Sequence, residues 1–187
     1  SGYSGYSGYS GAVGASGSAY LSVYPQEFSN TYVKTTKYYY EGYLSTNPAK
    51  PLTGVWDTSW VTPSGQVTNQ RFHIDVGTAR KIKRIYYENG HRNGYYSGSG
   101  VKNFTLWGSN SATDFDELTY ATDGTWTQIT GVSQSTFDQH VASNVADPKY
   151  IEVTGNETEY RYYALKFADN WGDTDFISIR RIVLMSD

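Results

Sequence analysis

The side chains able to do chemistry are few and scattered. Three histidines, His73, His91 and His140, lie too far apart for the short ligand spacing of a zinc site. The chain has no cysteine, hence no disulfide, no thiolate nucleophile and no cysteine metal ligand. Acidic residues gather at Asp114, Asp116 and Glu117, and again at Asp173 and Asp175. A hydrolytic pair needs two carboxyls held across a cleft, with one kept protonated by its surroundings. Acids set beside glycine, threonine and asparagine read instead as loop caps. No nucleophile elbow, phosphate-binding loop or zinc helix occurs. The chain reads as non-enzymatic, without cofactor or metal.

The densest cluster of polar and aromatic groups is Glu88-Asn89-Gly90-His91-Arg92-Asn93-Gly94-Tyr95-Tyr96-Ser97. Flat rings beside fixed hydrogen-bonding groups suit a ligand with one apolar face and a rim of hydroxyls, as a sugar has. His91, Arg92, Asn93, Tyr95 and Tyr96 are the candidates here, and His91, Arg92, Tyr95 and Tyr96 are expected to be exposed.

Short strands must position that loop. Phe72, Ile74 and Val76 alternate with Arg71, His73 and Asp75, the period-two mark of a strand with one buried face. On that pattern His73 is structural or solvent-facing. Further apolar runs hold Ile82 and Ile85, then Val101, Phe104 and Leu106, Trp126 and Ile129, and Ile151 and Val153. Arg161 to Phe167 alternates again, and Ile177, Ile179, Ile182 and Leu184 close the chain. Asn89-Gly90, Asn93-Gly94, Ser97 to Gly100 and Asp123-Gly124 are turn formers between them. Helical periodicity nowhere exceeds a turn or two. Many short strands with polar turns predict an all-β antiparallel sandwich or jelly roll.

Four segments in order resemble the discoidin family, the coagulation-factor type C domains related to the family 32 carbohydrate-binding modules. Leu52-Thr53-Gly54-Val55-Trp56-Asp57-Thr58-Ser59-Trp60 is similar to its Asp-Gly…Thr-x-Trp stretch. Arg71-Phe72-His73-Ile74-Asp75-Val76-Gly77 resembles its aromatic…Asp-aliphatic-Gly strand. Phe104 to Asn110, followed by Trp126, and Arg161-Tyr162-Tyr163 through Leu184 complete the set. The resemblance covers residues 30–186 and implies an eight-stranded jelly roll (galactose-binding-domain-like), its ends close together and its binding loops at one end. It brings Trp56, Asn170 and Trp171 toward the 88–97 loop. The alternative is that Trp56 and Trp171 cap the core beneath the loops. Trp60 and Trp126 are assigned to the core.

In the carbohydrate-binding relatives a calcium ion is held near that Asp-Gly aspartate and by a glutamate in the last strand. Here Thr53 replaces the aspartate, and Arg181 falls at or beside the glutamate's place. A guanidinium there, paired with Asp57 or Asp75, would supply the positive charge itself, so no calcium is expected.

The N-terminal segment is of another kind. All charged residues lie from Glu27 onward, and glycine recurs at every third place: Gly2, Gly5, Gly8, Gly11, Gly14 and Gly17. Tyr3, Tyr6 and Tyr9 fill the first triplets. Residues 1–19 read either as a flexible linker or as polyproline-II strands that assemble copies into a trimer or filament. Residues 20–187 form the globular domain. Tyr38, Tyr39, Tyr40 and Tyr43 add an interface-prone neck, or an aromatic strand alternating in and out.

The chain has 187 residues, 17% of them aromatic, with a net charge of −3. One domain plus an appendage fits that length. The missing basic excess argues against nucleic acid, and no apolar run approaches a bilayer-spanning helix. Ser1 begins the sequence without a methionine or signal peptide, which reads as a processed or excerpted chain. Asn103-Phe104-Thr105 and Asn156-Glu157-Thr158 match glycosylation acceptors. The sequence as a whole reads as a glycan-binding adhesion module, extracellular or on a virion or cell surface, displayed by the tail. The alternative is a fibre subunit with no dedicated ligand.

Overall fold

The computed structural model describes residues 20–187; the glycine-triplet segment lies outside them. Its elements in chain order are β1 (Leu21–Val23), β2 (Val33–Thr35), α1 (Tyr43–Thr46), β3 (Trp60–Val61), β4 (Gln70–Arg80) and β5 (Arg84–Asn89). There follow β6 (Phe104–Ser109), α2 (Ala112–Asp116), β7 (Thr127–Ile129), β8 (Lys149–Glu152), β9 (Tyr160–Phe167) and β10 (Ser178–Ser186). One sheet runs β1-β10-β5-β8, with β3 also on β10, and the other runs β2-β4-β9-β6-β7. Every strand ladder is antiparallel. The fold is therefore the discoidin-like β-sandwich that the alternating runs implied. Ten strands stand where the resemblance implied eight, because short pieces such as β1 and β3 pair along one edge of β10. Leu21 pairs with Ser186 there.

The core lies between the sheets. Phe72, Ile74 and Leu165 face Ile85, Tyr87, Ile179, Ile182 and Leu184, with Trp60, Phe137 and Phe167 filling the space between. Trp60 meets Phe72 edge-on at 5.6 Å, and its indole N–H donates to the Lys37 carbonyl at 3.0 Å. Each such ring removes enough apolar surface from water to contribute about 2–3 kcal/mol.

The other face of β4 departs from the simple alternation. Arg71, His73 and Asp75 are as buried as the core residues between them. The segment from α2 to Trp126 folds across this face, and Phe115, Trp126, Tyr162 and Ala164 form a second small core. His73 Nδ1 meets the Phe115 carbonyl at 3.0 Å. The Arg71 guanidinium takes the Thr119 carbonyl and the Asp123 carboxylate. His73 is thus structural, but not solvent-facing. Trp126 is a core residue, of this second layer.

Residues 38–40 form no strand. Tyr39 and Tyr40 only bridge to Val61 through backbone hydrogen bonds, leaving Tyr39 66% exposed.

A break in β10 positions the loops. Its pairing with β5 slips between Ile179 and Arg181, and Ile179 and Ile182 both face the core. Two inward residues three apart require one extra residue, a bulge, and a bulge re-aims its side chain. The residue re-aimed is Arg180.

Candidate functional site

Arg180 is fully buried and lies under the loops at one end of the sandwich. Its Nη1 donates to the carbonyls of Thr53 and Val55 and to Thr58 Oγ1, at 3.1, 3.2 and 2.9 Å. Its Nη2 donates to the carbonyls of Gly54 and His91, at 2.9 and 2.7 Å. Burial draws its pKa down to about 10, opposed by the charges of Asp57 and Glu88. It stays a cation at neutral pH. The guanidinium expected from the last strand is therefore Arg180 rather than Arg181, and its partners are oxygens of the loops rather than Asp57 or Asp75. Arg181 reaches the Lys50 carbonyl instead, and Asp75 pairs with Arg161 at 2.9 Å. The reason is the bulge, which shifts the register by one.

The loop after β5 opens with a tight hairpin. Arg92 and Tyr95 exchange two backbone hydrogen bonds of 2.8 Å, while Asn93 and Gly94 take φ of 52° and 80°. Two central residues at positive φ make the primed turn that Asn-Gly favours. Gly94 is required for a second reason, since a Cβ there would lie 2.4 Å from the Ser143 backbone. Tyr96 also holds a left-handed conformation, φ 57°, uncommon for a bulky residue. The Ser99 amide and hydroxyl fix its carbonyl, and its ring rests 5.4 Å from that of Trp56.

These loops enclose a groove of about 420 Å³ lined by Tyr39, Tyr40, Val55, Trp56, Ser64, Arg92 and Phe176, with Val61 beneath. The Phe176 ring packs edge-on to Trp56 at 4.9 Å, and Tyr39 to Tyr40 at 4.7 Å. The Arg92 guanidinium lies 5.6 Å from the Trp56 ring centre. Trp56 is only 9% exposed, and its buried indole nitrogen has no hydrogen-bond partner. It is buried in the wall of the groove, against Phe176 and Tyr96.

Of the residues named from sequence, Trp56 and Arg92 line the groove, and Tyr96 packs on Trp56 beside it. Tyr95 is 74% exposed and Asn93 is exposed on the same hairpin, neither lining the groove. His91 corrects an expectation, because it is buried rather than exposed. Its Nδ1 accepts from the Gly94 N–H and its Nε2 meets the Leu52 carbonyl, both at 3.0 Å. It stacks on His140 with ring centres 3.9 Å apart. His91 thus stands as a strut just before the hairpin, holding the Gly94 amide from within. Burial, with Arg180 and His140 nearby, lowers the His91 pKa to about 4, against the opposing Leu52 hydrogen bond.

Asn170 and Trp171 do not line the groove. The Asn170 amide donates to the carbonyls of Asp173 and Phe176, so it shapes the turn that delivers Phe176. Trp171 donates to the Phe137 carbonyl at 3.1 Å and lies under Lys102. Phe176 and Ser64 were not singled out from sequence, and Tyr39 and Tyr40 were read as a neck. The one signal for the buried scaffold was the three-residue step from Ile179 to Ile182.

In the acidic clusters Asp173, Asp114 and Glu117 act as caps, while Asp116 pairs with Lys34. Asp173 Oδ1 accepts from the amides of Asp175 and Phe176. Asp114 accepts from Ser109 and Thr125. Among the described residues no group of three or more His, Cys, Asp or Glu is placed to hold a metal, and no helix is long and apolar enough to cross a membrane.

No curated protein matches the chain. Solved structures share its fold at low identity. The F5/8 type C domain of a Bacteroides fragilis protein superposes with a TM-score of 0.60 at 11% identity, over 90% of this chain and 97% of that one. The family 32 carbohydrate-binding module of Streptococcus pneumoniae EndoD gives 0.55 at 14%, over 89% and 100%. The family 32 module of C. perfringens NanJ, solved in complex with galactose, gives 0.53 at 14%, over 82% and 92%. Residues 50–186 match the model of the DUF5000 family, described as a domain of unknown function. That span holds Trp56, Arg92, Phe176 and Arg180, and over it the chain belongs to the DUF5000 family, built on a discoidin-like β-sandwich.

Proposed function

We propose that the domain is a non-enzymatic glycan-binding module whose end groove takes a saccharide. The observation that carries this is the convergence of Trp56, Tyr39, Tyr40 and Phe176 around one groove with Arg92 at its wall. Aromatic faces hold the apolar face of a sugar ring, while a fixed donor meets its hydroxyls. The carbohydrate-binding modules that share the fold, one of them solved with galactose, favour the same reading. The capping roles of Asp114 and Asp173 support the non-enzymatic reading. The site comprises Trp56, Arg92, Tyr96, Tyr39, Tyr40 and Phe176, with Tyr95 and Asn93 at the rim. A glycan array tests it: wild type binds a defined set of sugars, and Trp56→Ala and Tyr39→Ala lose at least about ten-fold in signal. Unchanged binding by both variants removes the groove as the site.

Such a module works where glycans are displayed, outside cells or on a cell or virion surface. The glycine-triplet segment of residues 1–19 then carries copies of the domain as an oligomer. A second reading makes that assembly the function itself, and its support is the strict period of glycine from Gly2 to Gly17. Light scattering on the whole chain and on residues 20–187 separates the two. A trimer or larger that becomes monomeric on truncation supports assembly, and two monomers leave glycan binding alone.

A further inference from the structure

We propose that the groove selects saccharides bearing a carboxylate, of the uronic-acid type, with Arg92 as the anion ligand. The assignment rests on the groove being the glycan site. Arg92 supplies the only formal charge among the residues that line it. Its backbone is committed to the hairpin, yet its guanidinium has no carboxylate or hydrogen-bond partner among the described residues. Residues 1–19 contain no acid that could pair with it.

Other arginines are spoken for. Arg71, Arg84 and Arg161 hold carboxylates, and Arg180 and Arg181 hold backbone carbonyls. Arg80 shares the freedom and the exposure of Arg92 but stands at the far end of β4 and does not line this groove. Two acids stand beside groove residues without pairing with Arg92. Asp175 accepts from Ser64 Oγ at 3.2 Å, and the charge of Asp57, next to Trp56, acts on buried Arg180.

A guanidinium laid along an indole face keeps its edge and its planar fork of donors free. A hydroxyl would use one donor. A carboxylate takes two parallel N–H bonds as well as the charge, and such bonds are about twice as strong as neutral ones. Arg92 is exposed, so the wall of Trp56 and Phe176 covers one side of that pair and leaves the other open to solvent. A chain of net charge −3 does not attract polyanions in general, so the selection belongs to this one side chain.

The test uses the full chain and two ligands differing only in the acid: oligogalacturonate and its carboxyl-reduced oligogalactan, titrated calorimetrically at low and high salt. The expected result is about ten-fold tighter binding of the acid form, a gap that narrows as salt screens it. Arg92→Gln closes the gap, and Arg92→Lys restores part of it. Equal wild-type affinity for both forms, or a gap that survives Arg92→Gln, overturns the carboxylate assignment while sugar binding itself stands. Tighter binding of a sulfated galactan than of oligogalacturonate also overturns it, in favour of a sulfate ester. If neither form binds and Trp56→Ala matches wild type on the array, the groove reading falls as well.

Discussion

Arg180 Nη2 donates to the carbonyl of His91 at 2.7 Å, and the same guanidinium also holds the carbonyls of Thr53, Gly54 and Val55, which lead into Trp56. One buried cation thereby fixes the spacing between Trp56 and Arg92. Removing it leaves several buried carbonyls without donors, each costing about 1 kcal/mol or more. Arg180→Met is expected to lose about 3–5 kcal/mol in a denaturant melt. Arg180→Lys, with three donors at one point, should recover part of that.

With a guanidinium in the oxygen cage, the domain's stability should not depend on a divalent ion. Excess chelator is expected to leave the melting temperature unchanged in the wild type. A drop of several degrees on chelation would show that a metal holds these loops after all.

Gly94→Ala tests the hairpin. The substitution puts a Cβ at φ 80° and within 2.4 Å of the Ser143 backbone, so two independent penalties add. A loss of about 1–3 kcal/mol is expected, together with weakened sugar binding as Arg92 moves off Trp56. Calorimetry and the array read the two effects separately.

Acid should destabilise the fold through two histidines. Burial lowers the pKa of both His73 and His91 to about 4, below the ordinary 6.5 of an unfolded chain. The unfolded state therefore takes up protons first. Their contribution is complete above pH 6.5 and is lost as pH falls through 4. A thermal scan between those limits should show a fall of roughly 5–10 °C. Imidazole nitrogen shifts should show His91 neutral, with hydrogen on Nε2, because Nδ1 accepts from Gly94.

Neither glycosylation acceptor is free in the folded domain. Asn156 is buried, and its amide donates to the Ile82 carbonyl and the Tyr163 hydroxyl. The Asn103 amide donates to both carboxylate oxygens of Asp169. Protein secreted from a glycosylating host should keep its unmodified mass at both sites. An attached glycan at Asn156 would mean that modification precedes folding.

Local pattern was legible wherever one residue's neighbours in sequence decide its fate. Period-two alternation at Phe72, Ile74 and Val76 gave a core strand, and Asn93-Gly94 gave a primed turn, since backbone sterics act over two or three residues. Together with the four family-like segments, these determined the β-sandwich and drew attention to Trp56, Arg92 and Tyr96. Which groups meet across the fold was a different matter. Phe176 packs on Trp56 from a separate segment, with nothing in its own surroundings to mark it, and Tyr39 and Tyr40, marked only as a neck or strand, line the same groove. His91 looked exposed because its neighbours are polar, yet it is buried and stacks on His140. The bulge at Arg180 was written in the step from Ile179 to Ile182, but its meaning appears only once the loops above it are in place. Sequence settles what is local, the periodicity and the turns. The tertiary structure decides which buried charge is satisfied by which distant carbonyl, and so which rings form the groove.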